Sequence, residues 1–461
     1  LNAFPGLPVA KVLKELNVAC KRDGKRRLEV ALELYSGVRG DACLRCKVAE
    51  RLIYVLMRSG GGVFGVGHEE MKARFRDPYW RRALVSVING LATFGASKPF
   101  IPGAPFQIVW NITSRCNLGC KHCYADAGSA GPEMSTAEAR AAISKLSDWG
   151  VVVLAFSGGE PLVRRDIAEL AKHAFDCGIY AAIASNGVLL TREMCRSLSD
   201  AGVKYLQISL DGATPAVHDG FRGVSGAFER AVRGVRNAVA SGFFVSIATT
   251  ATSYNLHEIP SVIDLCEDLG VKWFMLYNFI PTGRGRFISE NDLTPEQREE
   301  LLRYLWGRMR GSKVQLLSTA PQFARVALSA DESPPVIPTH FSNNPLGGGL
   351  RSLSDFIGGC GAARFYLGMN ANGDITPCVF LPMKVANIAD DLEAVWKDRD
   401  RFRFLRDRSL LDPNCGTCKY KYVCGGCRAR TYGYCRDCSA PDPGCILNAA
   451  LNAPPRIAAR S

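Results

Sequence analysis

Three cysteines fall within eight residues in Arg115-Cys116-Asn-Leu-Gly-Cys120-Lys-His122-Cys123-Tyr124. A structural zinc site takes four ligands, and no fourth lies close in sequence. A 4Fe–4S cube has four irons to ligate, so three thiolates leave one iron open to a substrate or cofactor. Such a site is built to react. A second set lies far downstream: Cys360, Gly373 and Cys378, then Cys415-x2-Cys418-x5-Cys424-x2-Cys427, and Cys445, with Cys435 and Cys438 in between. The paired two-residue gaps alone read first as a zinc ribbon, but that leaves Cys360 and Cys378 without a role. A third set is Cys20 with Cys43-Leu-Arg-Cys46. Its two-residue gap suits a metal or a redox pair as well as helix-packed thiols, and His68 is the nearest candidate for a fourth ligand. The isolated Cys177, Cys195 and Cys266 read as buried free thiols.

Eighteen cysteines in 461 residues are many for a chain kept reduced, and too dilute for a disulfide scaffold. Metal is what remains. A hydrophobic content of 47% is ample for a packed core, and 22% charged residues lie in the ordinary soluble range. The absence of a run of about 18 apolar residues and of a signal-peptide pattern predicts a cytoplasmic protein.

The elements that must position these cysteines follow from apolar periodicity. Runs at 107–112, 151–156, 179–184, 203–209, 243–249 and 271–277 alternate with helical stretches, which predicts parallel strands joined by right-handed crossovers. Ser135 with Glu138, and Thr294 with Gln297, have the spacing of capping boxes that open two of the helices. This α/β unit spans about 105–330, and periodicity does not choose between an open sheet and a barrel-like curl. Residues 1–104 are basic and mainly helical, with one helix expected over Lys47–Arg58 and a break at Gly60, Gly61 and Gly62. Residues 331–358 read as a linker, 359–447 as the cysteine-rich domain and 448–461 as a tail.

The net charge is +13, and residues 1–104 carry +9 of it, with 18 Lys and Arg against 9 Asp and Glu. Clusters such as Lys21, Arg22, Lys25, Arg26 and Arg27 suit an acidic protein, an anionic substrate or a membrane surface, or simply form a solvated helical face. No nucleic-acid motif accompanies them.

Cys116-x3-Cys120-x2-Cys123 resembles the signature of the radical S-adenosylmethionine (radical SAM) enzymes, and further segments match in order. Ser157-Gly158-Gly159-Glu160-Pro161 is similar to the segment that holds the methionyl ammonium. Ser185-Asn186 and Ser209-Leu-Asp211 are similar to strand ends that contact the ribose and carboxylate. Arg222 matches an arginine able to clamp a carboxylate, and His122 takes the aromatic position packed near adenine. The downstream cysteines resemble the SPASM extension, with two residues instead of three between Cys424 and Cys427, as in members of the alternative haem pathway.

The resemblance implies a partial (β/α)6 TIM-like barrel, S-adenosylmethionine as cofactor, one catalytic 4Fe–4S cluster and two auxiliary ones. Cys360, Cys378 and Cys427 would hold the inner auxiliary cluster, with Cys435, Cys438 or an open site as the fourth position. Cys415, Cys418, Cys424 and Cys445 would hold the outer one. The implied activity is oxidoreductase-like: reductive cleavage of the cofactor to a 5′-deoxyadenosyl radical, which takes hydrogen from an unactivated C–H bond. The expected substrate is an anionic small molecule of tetrapyrrole or lipid type, and the expected electron donor is acidic, such as ferredoxin or flavodoxin. The alternatives are a maturase of peptides or proteins, and a non-catalytic iron–sulfur electron carrier. A carrier would not need Gly158-Gly159-Glu160-Pro161. Catalytic acid or base residues are not assigned.

Overall fold

The structure is a computed structural model that describes residues 9–64, 67–128, 131–330 and 351–451. One sheet of ten strands organises it: β1 (Gln107–Thr113), β2 (Val153–Gly158), β3 (Tyr180–Ser185), β4 (Tyr205–Ser209), β5 (Phe244–Ala251), β6 (Trp273–Asn278), β7 (Gln315–Ser318), β8 (Tyr366–Met369), β9 (Asp374–Thr376) and β10 (Ala386–Asn387). Their order is β10-β9-β8-β1-β2-β3-β4-β5-β6-β7, parallel from β8 to β7. The six expected strands are present, each within two residues of its apolar run. Two further parallel strands extend the sheet. β7 follows β6, and β8 from the cysteine-rich region pairs with β1, setting Gln107 opposite Tyr366 and Trp110 opposite Met369.

Fully buried Ile108, Leu154, Ile183, Leu206, Ile247 and Phe274 come from successive strands and belong to one continuous core. The crossover helices close over it. Helix Thr136–Trp149 starts at a complete Ser135–Glu138 capping box and buries Ala139, Ala142, Ile143 and Leu146. Helix Pro295–Arg308 opens with the Thr294–Gln297 box. Caps of this kind satisfy the otherwise orphaned N–H groups of the first turn.

The N-terminal region is a bundle of five helices, α1 (Val9–Asn17), α2 (Arg27–Tyr35), α3 (Leu44–Phe64), α4 (His68–Arg74) and α5 (Pro78–Phe94). It has its own core, including Leu16, Leu28, Leu32, Tyr35, Ile53, Phe75 and Val85. The helix expected over Lys47–Arg58 is longer than its apolar pattern and runs through Gly60, Gly61 and Gly62. Glycine weakens a helix by about 1 kcal/mol per residue but forbids nothing, and no proline stops this one. Through α5 the bundle docks on the edge where the strands begin. Arg82 donates to the carbonyls of Ser147, Val151 and Cys177, and Tyr79 packs on Phe106 and Tyr180. The expected linker 331–358 falls in part outside the described residues. Its last portion contains a helix, Arg351–Ile357.

Candidate active site

Chemistry concentrates at the opposite edge, where the parallel strands end. β1 runs into Ser114-Arg115, and the next residues form the cysteine loop. The backbone of the β2 turn anchors this entry: Gly159 N donates to Thr113 O at 2.8 Å and Glu160 N to Arg115 O at 2.9 Å. A Cβ on Gly159 would stand 2.1 Å from Arg115 O, so only glycine permits the approach. The far side of the loop is tied to the residues around Arg222, where Gly119 N and Lys121 N donate to Arg222 O and Phe221 O, each at 3.1 Å.

Cys116, Cys120 and Cys123 share an apolar nook with Leu118, Val188, Val224 and Ala227. Burial pushes the Cys116 thiol up to about 11 and raises Cys120, so protonated thiols are favoured until a metal binds. The three sulfurs do not gather within 4.8 Å of one another, as a single ion would require. A cluster whose thiolates sit on different irons fits that spread.

Glu160 is fully buried, and its carboxylate accepts from Leu162 N (3.1 Å), Ser185 Oγ (2.8 Å) and Asn186 N (2.7 Å). Burial pushes it up to about 7 despite these donors. The carboxylate therefore pins the β2 turn, which continues as the short helix Pro161–Val163, to the end of β3. Asn186 donates from Nδ2 to Asn117 Oδ1 at 2.7 Å, which carries the link into the cysteine loop itself.

Asp211 is also fully buried and pairs with Arg222 at 2.6 Å and with His122 Nε2 at 3.2 Å. Burial alone would raise it; Arg222 and His122 outweigh that and hold it below the usual carboxylate range. Arg222 Nη1 also donates to Cys120 Sγ at 3.6 Å, and His122 stacks on Phe221 with ring centroids 4.1 Å apart. Burial pushes His122 down. Asp211, Arg222 and His122 thus form one internal network beneath the cluster loop. Ser209 stands half-buried at the end of β4.

Several residues here carry no motif. Arg284 donates to Cys120 O at 3.0 Å and to Ala127 O, and its own N–H donates to Cys123 O at 2.9 Å. A Cβ on Gly283 would lie 2.4 Å from the carbonyls of both Cys123 and Tyr124. Thr282-Gly-Arg-Gly after β6 is therefore the seat of the cysteine loop, and its paired glycines were the available signal. Tyr124 shares hydrogen bonds of 2.9 Å with Asn111 Oδ1 and Ser157 Oγ.

The downstream cysteines divide into two groups. Cys360, Cys378, Cys427 and Cys438 are all buried in the main core. Burial raises the thiol pKa values of Cys378, Cys427 and Cys438, and Cys360 adds to each, which places the four sulfurs in one electrostatic neighbourhood. Cys435 is exposed. Cys415, Cys418, Cys424 and Cys445 line a separate cavity of about 440 Å³, together with Arg325, Lys419 and Lys421.

A three-cysteine loop at the ends of parallel strands, backed by a thiol-rich extension, is the arrangement of an iron–sulfur enzyme. The chain belongs to the radical SAM superfamily, whose pattern matches residues 110–266, and an iron–sulfur cluster-binding domain, SPASM, matches residues 360–419. It is 35% identical over 350 residues to the AdoMet-dependent heme synthase of Methanosarcina barkeri, covering 74% of this chain and 97% of that protein. It is 31% identical over 362 residues to the pre-heme d1 synthase of Dinoroseobacter shibae, covering 74% and 86%. It is likewise 31% identical over 353 residues to the mycofactocin maturase of Mycobacterium tuberculosis, covering 74% and 83%. The crystal structure of Streptococcus suis SuiB bound to S-adenosylmethionine has the same fold, with a TM-score of 0.65, 17% identity and coverage of 92% and 93%. The superfamily and extension imply S-adenosylmethionine and iron–sulfur clusters, and the spread of the three loop thiols fits such a cluster.

Proposed function

We propose that this enzyme modifies an anionic tetrapyrrole. The observation that carries the reading is an aromatic wall between the cysteine loop and the inner downstream cysteines. Tyr124 and Tyr277 flank Phe380, with ring centroids 4.8 and 6.4 Å from it, and Phe380 N donates to Cys378 Sγ at 3.5 Å. Flat rings stack on a flat macrocycle. Relatives named as heme and pre-heme d1 synthases support the same class. Lys121, exposed on the cysteine loop, supplies a cation for a substrate carboxylate, and Arg115 beside it is paired with Glu133 at 2.8 Å.

Cys116, Cys120 and Cys123 hold the catalytic cluster, which with S-adenosylmethionine supplies a carbon-centred radical when bound. Glu160 fixes the Gly158–Gly159 turn so that backbone carbonyls there receive the methionyl ammonium. Ser185, Asn186 and Ser209 offer polar groups to the ribose and carboxylate, and His122 lies toward the adenine. Asp211 and Arg222 position Cys120. Cys360, Cys378, Cys427 and Cys438 form the inner auxiliary site, and Cys415, Cys418, Cys424 and Cys445 the outer one. Lys419 and Lys421 beside the outer site suit an acidic donor such as ferredoxin or flavodoxin. The basic bundle, about 20 Å away at the other end of the strands, suits a membrane surface or a donor better than the substrate.

The test is anaerobic turnover with dithionite and S-adenosylmethionine. Adding Fe-coproporphyrin III should accelerate 5′-deoxyadenosine release and change the mass of the tetrapyrrole. Cys120→Ala should reduce both to background. An unaltered tetrapyrrole in an enzyme that still cleaves the cofactor would overturn the substrate class and leave the radical chemistry standing.

A further inference from the structure

The bundle contains a cysteine group that the radical chemistry does not use. Cys20 sits on a tight turn after α1, where its N–H donates to Lys25 O at 2.7 Å and its carbonyl accepts from Gly24 N at 2.8 Å. Cys43 immediately precedes α3, and Cys46 lies in the first turn of that helix. The turn and the helix start bring residues 23 positions apart into contact: Cys20 Sγ lies 3.6 Å from Cys43 Sγ, and Cys43 Sγ lies 3.5 Å from Cys46 Sγ. All three sulfurs lie within 4.8 Å of one another, and among the described residues no other three His, Cys, Asp or Glu gather so tightly.

The spacing selects the metal. Zinc bonded to sulfur at about 2.3 Å with tetrahedral angles sets its thiolates about 3.8 Å apart, close to the separations seen here. A 4Fe–4S cube would spread them further, one thiolate to each iron. Two sulfurs alone would suit a disulfide, but the third buried thiol is then left without a role. Asp23 supports the group from outside: its Oδ2 accepts from Cys20 Sγ at 3.3 Å while Oδ1 is held by Arg39 at 2.5 Å. His68 is not part of the group. It packs between Tyr35 and Tyr54, with Nδ1 3.3 Å from Tyr35 Oη.

Charge supports the same assignment. Three thiolates around a divalent ion leave one negative charge. Arg39 contacts Asp23 directly, and Arg22 and Lys47 both pair with Asp41, two residues from Cys43. Part of the basic character of the bundle is thus gathered where an anionic metal site would need it.

We propose that Cys20, Cys43 and Cys46 bind one zinc ion, with a water oxygen completing its coordination, and that the ion fastens the α1–α2 turn to the start of α3. A helical unit of about a hundred residues with a small separate core gains most from such a staple.

The experiment uses the full-length chain, produced in zinc-supplemented medium and purified anaerobically with its iron–sulfur clusters in place. Elemental analysis should find about one zinc per chain besides the iron. Zinc-edge X-ray absorption should show three sulfur neighbours at about 2.3 Å and one oxygen at about 2.0–2.2 Å. Cys43→Ala should lower the zinc content at least tenfold and leave the iron unchanged. Zinc far below one per chain, a four-sulfur shell, loss of iron instead of zinc in Cys43→Ala, or a Cys43–Cys46 disulfide in the purified protein would each overturn the proposal. If Cys43→Ala does not fold, the absorption spectrum of the unmodified protein decides alone.

Discussion

The N-terminal bundle and the C-terminal extension flank the same barrel, carry cysteine groups of their own, and are attached by different physics. The extension is continuous with the barrel. β8 completes the hydrogen bonding of β1, and a buried ion network locks the chain around Cys427 onto the end of β6. In that network Asp292 accepts from Arg298 and Arg430, each at 2.5 Å, and from Tyr434 at 2.6 Å. Asp442 accepts from Cys427 N and from Gln322, each at 2.7 Å. The bundle keeps a separate core and touches the barrel through α5, by Arg82, by Tyr79 and by Phe94, which packs on the main core. The region that shares the core can tune or bind at the reaction site. The region that docks at the strand starts can be altered while the site stays intact.

The sharpest way to break this comparison is at Asp292. Replacing it with Asn leaves Arg298 buried without its ion-pair partner and Arg430 with Asp442 alone at 3.4 Å, which is expected to destabilise the protein by about 3–5 kcal/mol. Denaturant unfolding of the variant would measure it, and an unchanged midpoint would mean that the extension is held by β8 alone. Cys438 and Cys435 provide the next test. Cys438→Ser should lower the iron content or alter the electron paramagnetic resonance of the inner auxiliary site, whereas Cys435→Ser, at an exposed position, should change neither.

Arg82→Ala should cost about 1–3 kcal/mol in bundle docking, because part-buried carbonyls at Ser147, Val151 and Cys177 lose a charged donor. Cofactor cleavage should continue at the same rate. A fall in cleavage matching that of an active-site variant would mean the bundle reaches the site after all. The smallest effect lies in the barrel itself. His218 accepts a hydrogen bond from Asp211 N at 3.2 Å, and burial, with Arg222 nearby, depresses its pKa to about 4. The unfolded chain binds the proton near pH 6.5 while the folded one does not, so stability falls as pH drops from 6.5 toward 4. Between pH 6.5 and 5.5 this amounts to about 1 kcal/mol, and His218→Asn should remove that part of the slope in urea titrations at the two pH values.

The parts legible in the sequence were those encoded locally. β1 to β6 each form an apolar run bounded by helical stretches, and Cys116, Cys120 and Cys123 lie on a single loop. β7 has four residues, and β8 pairs with a strand some 260 positions earlier, so neither leaves a periodic trace. Asp211 and Arg222 were both read as cofactor contacts. Their pairing closes a short loop, but the link from Arg222 to Cys120 spans about 100 residues of chain, which spacing does not encode. Choosing Cys438 over Cys435 likewise required burial, because both follow Cys427 at unremarkable distances.

The pairing of β8 with β1 also has a consequence for how the chain is made. Until residues beyond 366 leave the ribosome, β1 is an open sheet edge, and the cysteine loop hangs from its end. An open edge invites pairing with other chains, and a contact so distant in sequence forms late. A fragment ending at residue 330 would therefore be expected to aggregate through β1, and the nascent protein to depend on chaperones at the strand that leads into its catalytic loop. A cluster proposed at Cys116, Cys120 and Cys123 would then be inserted only after the extension arrives, which would tie assembly of that centre to synthesis of the residues from 366 onward.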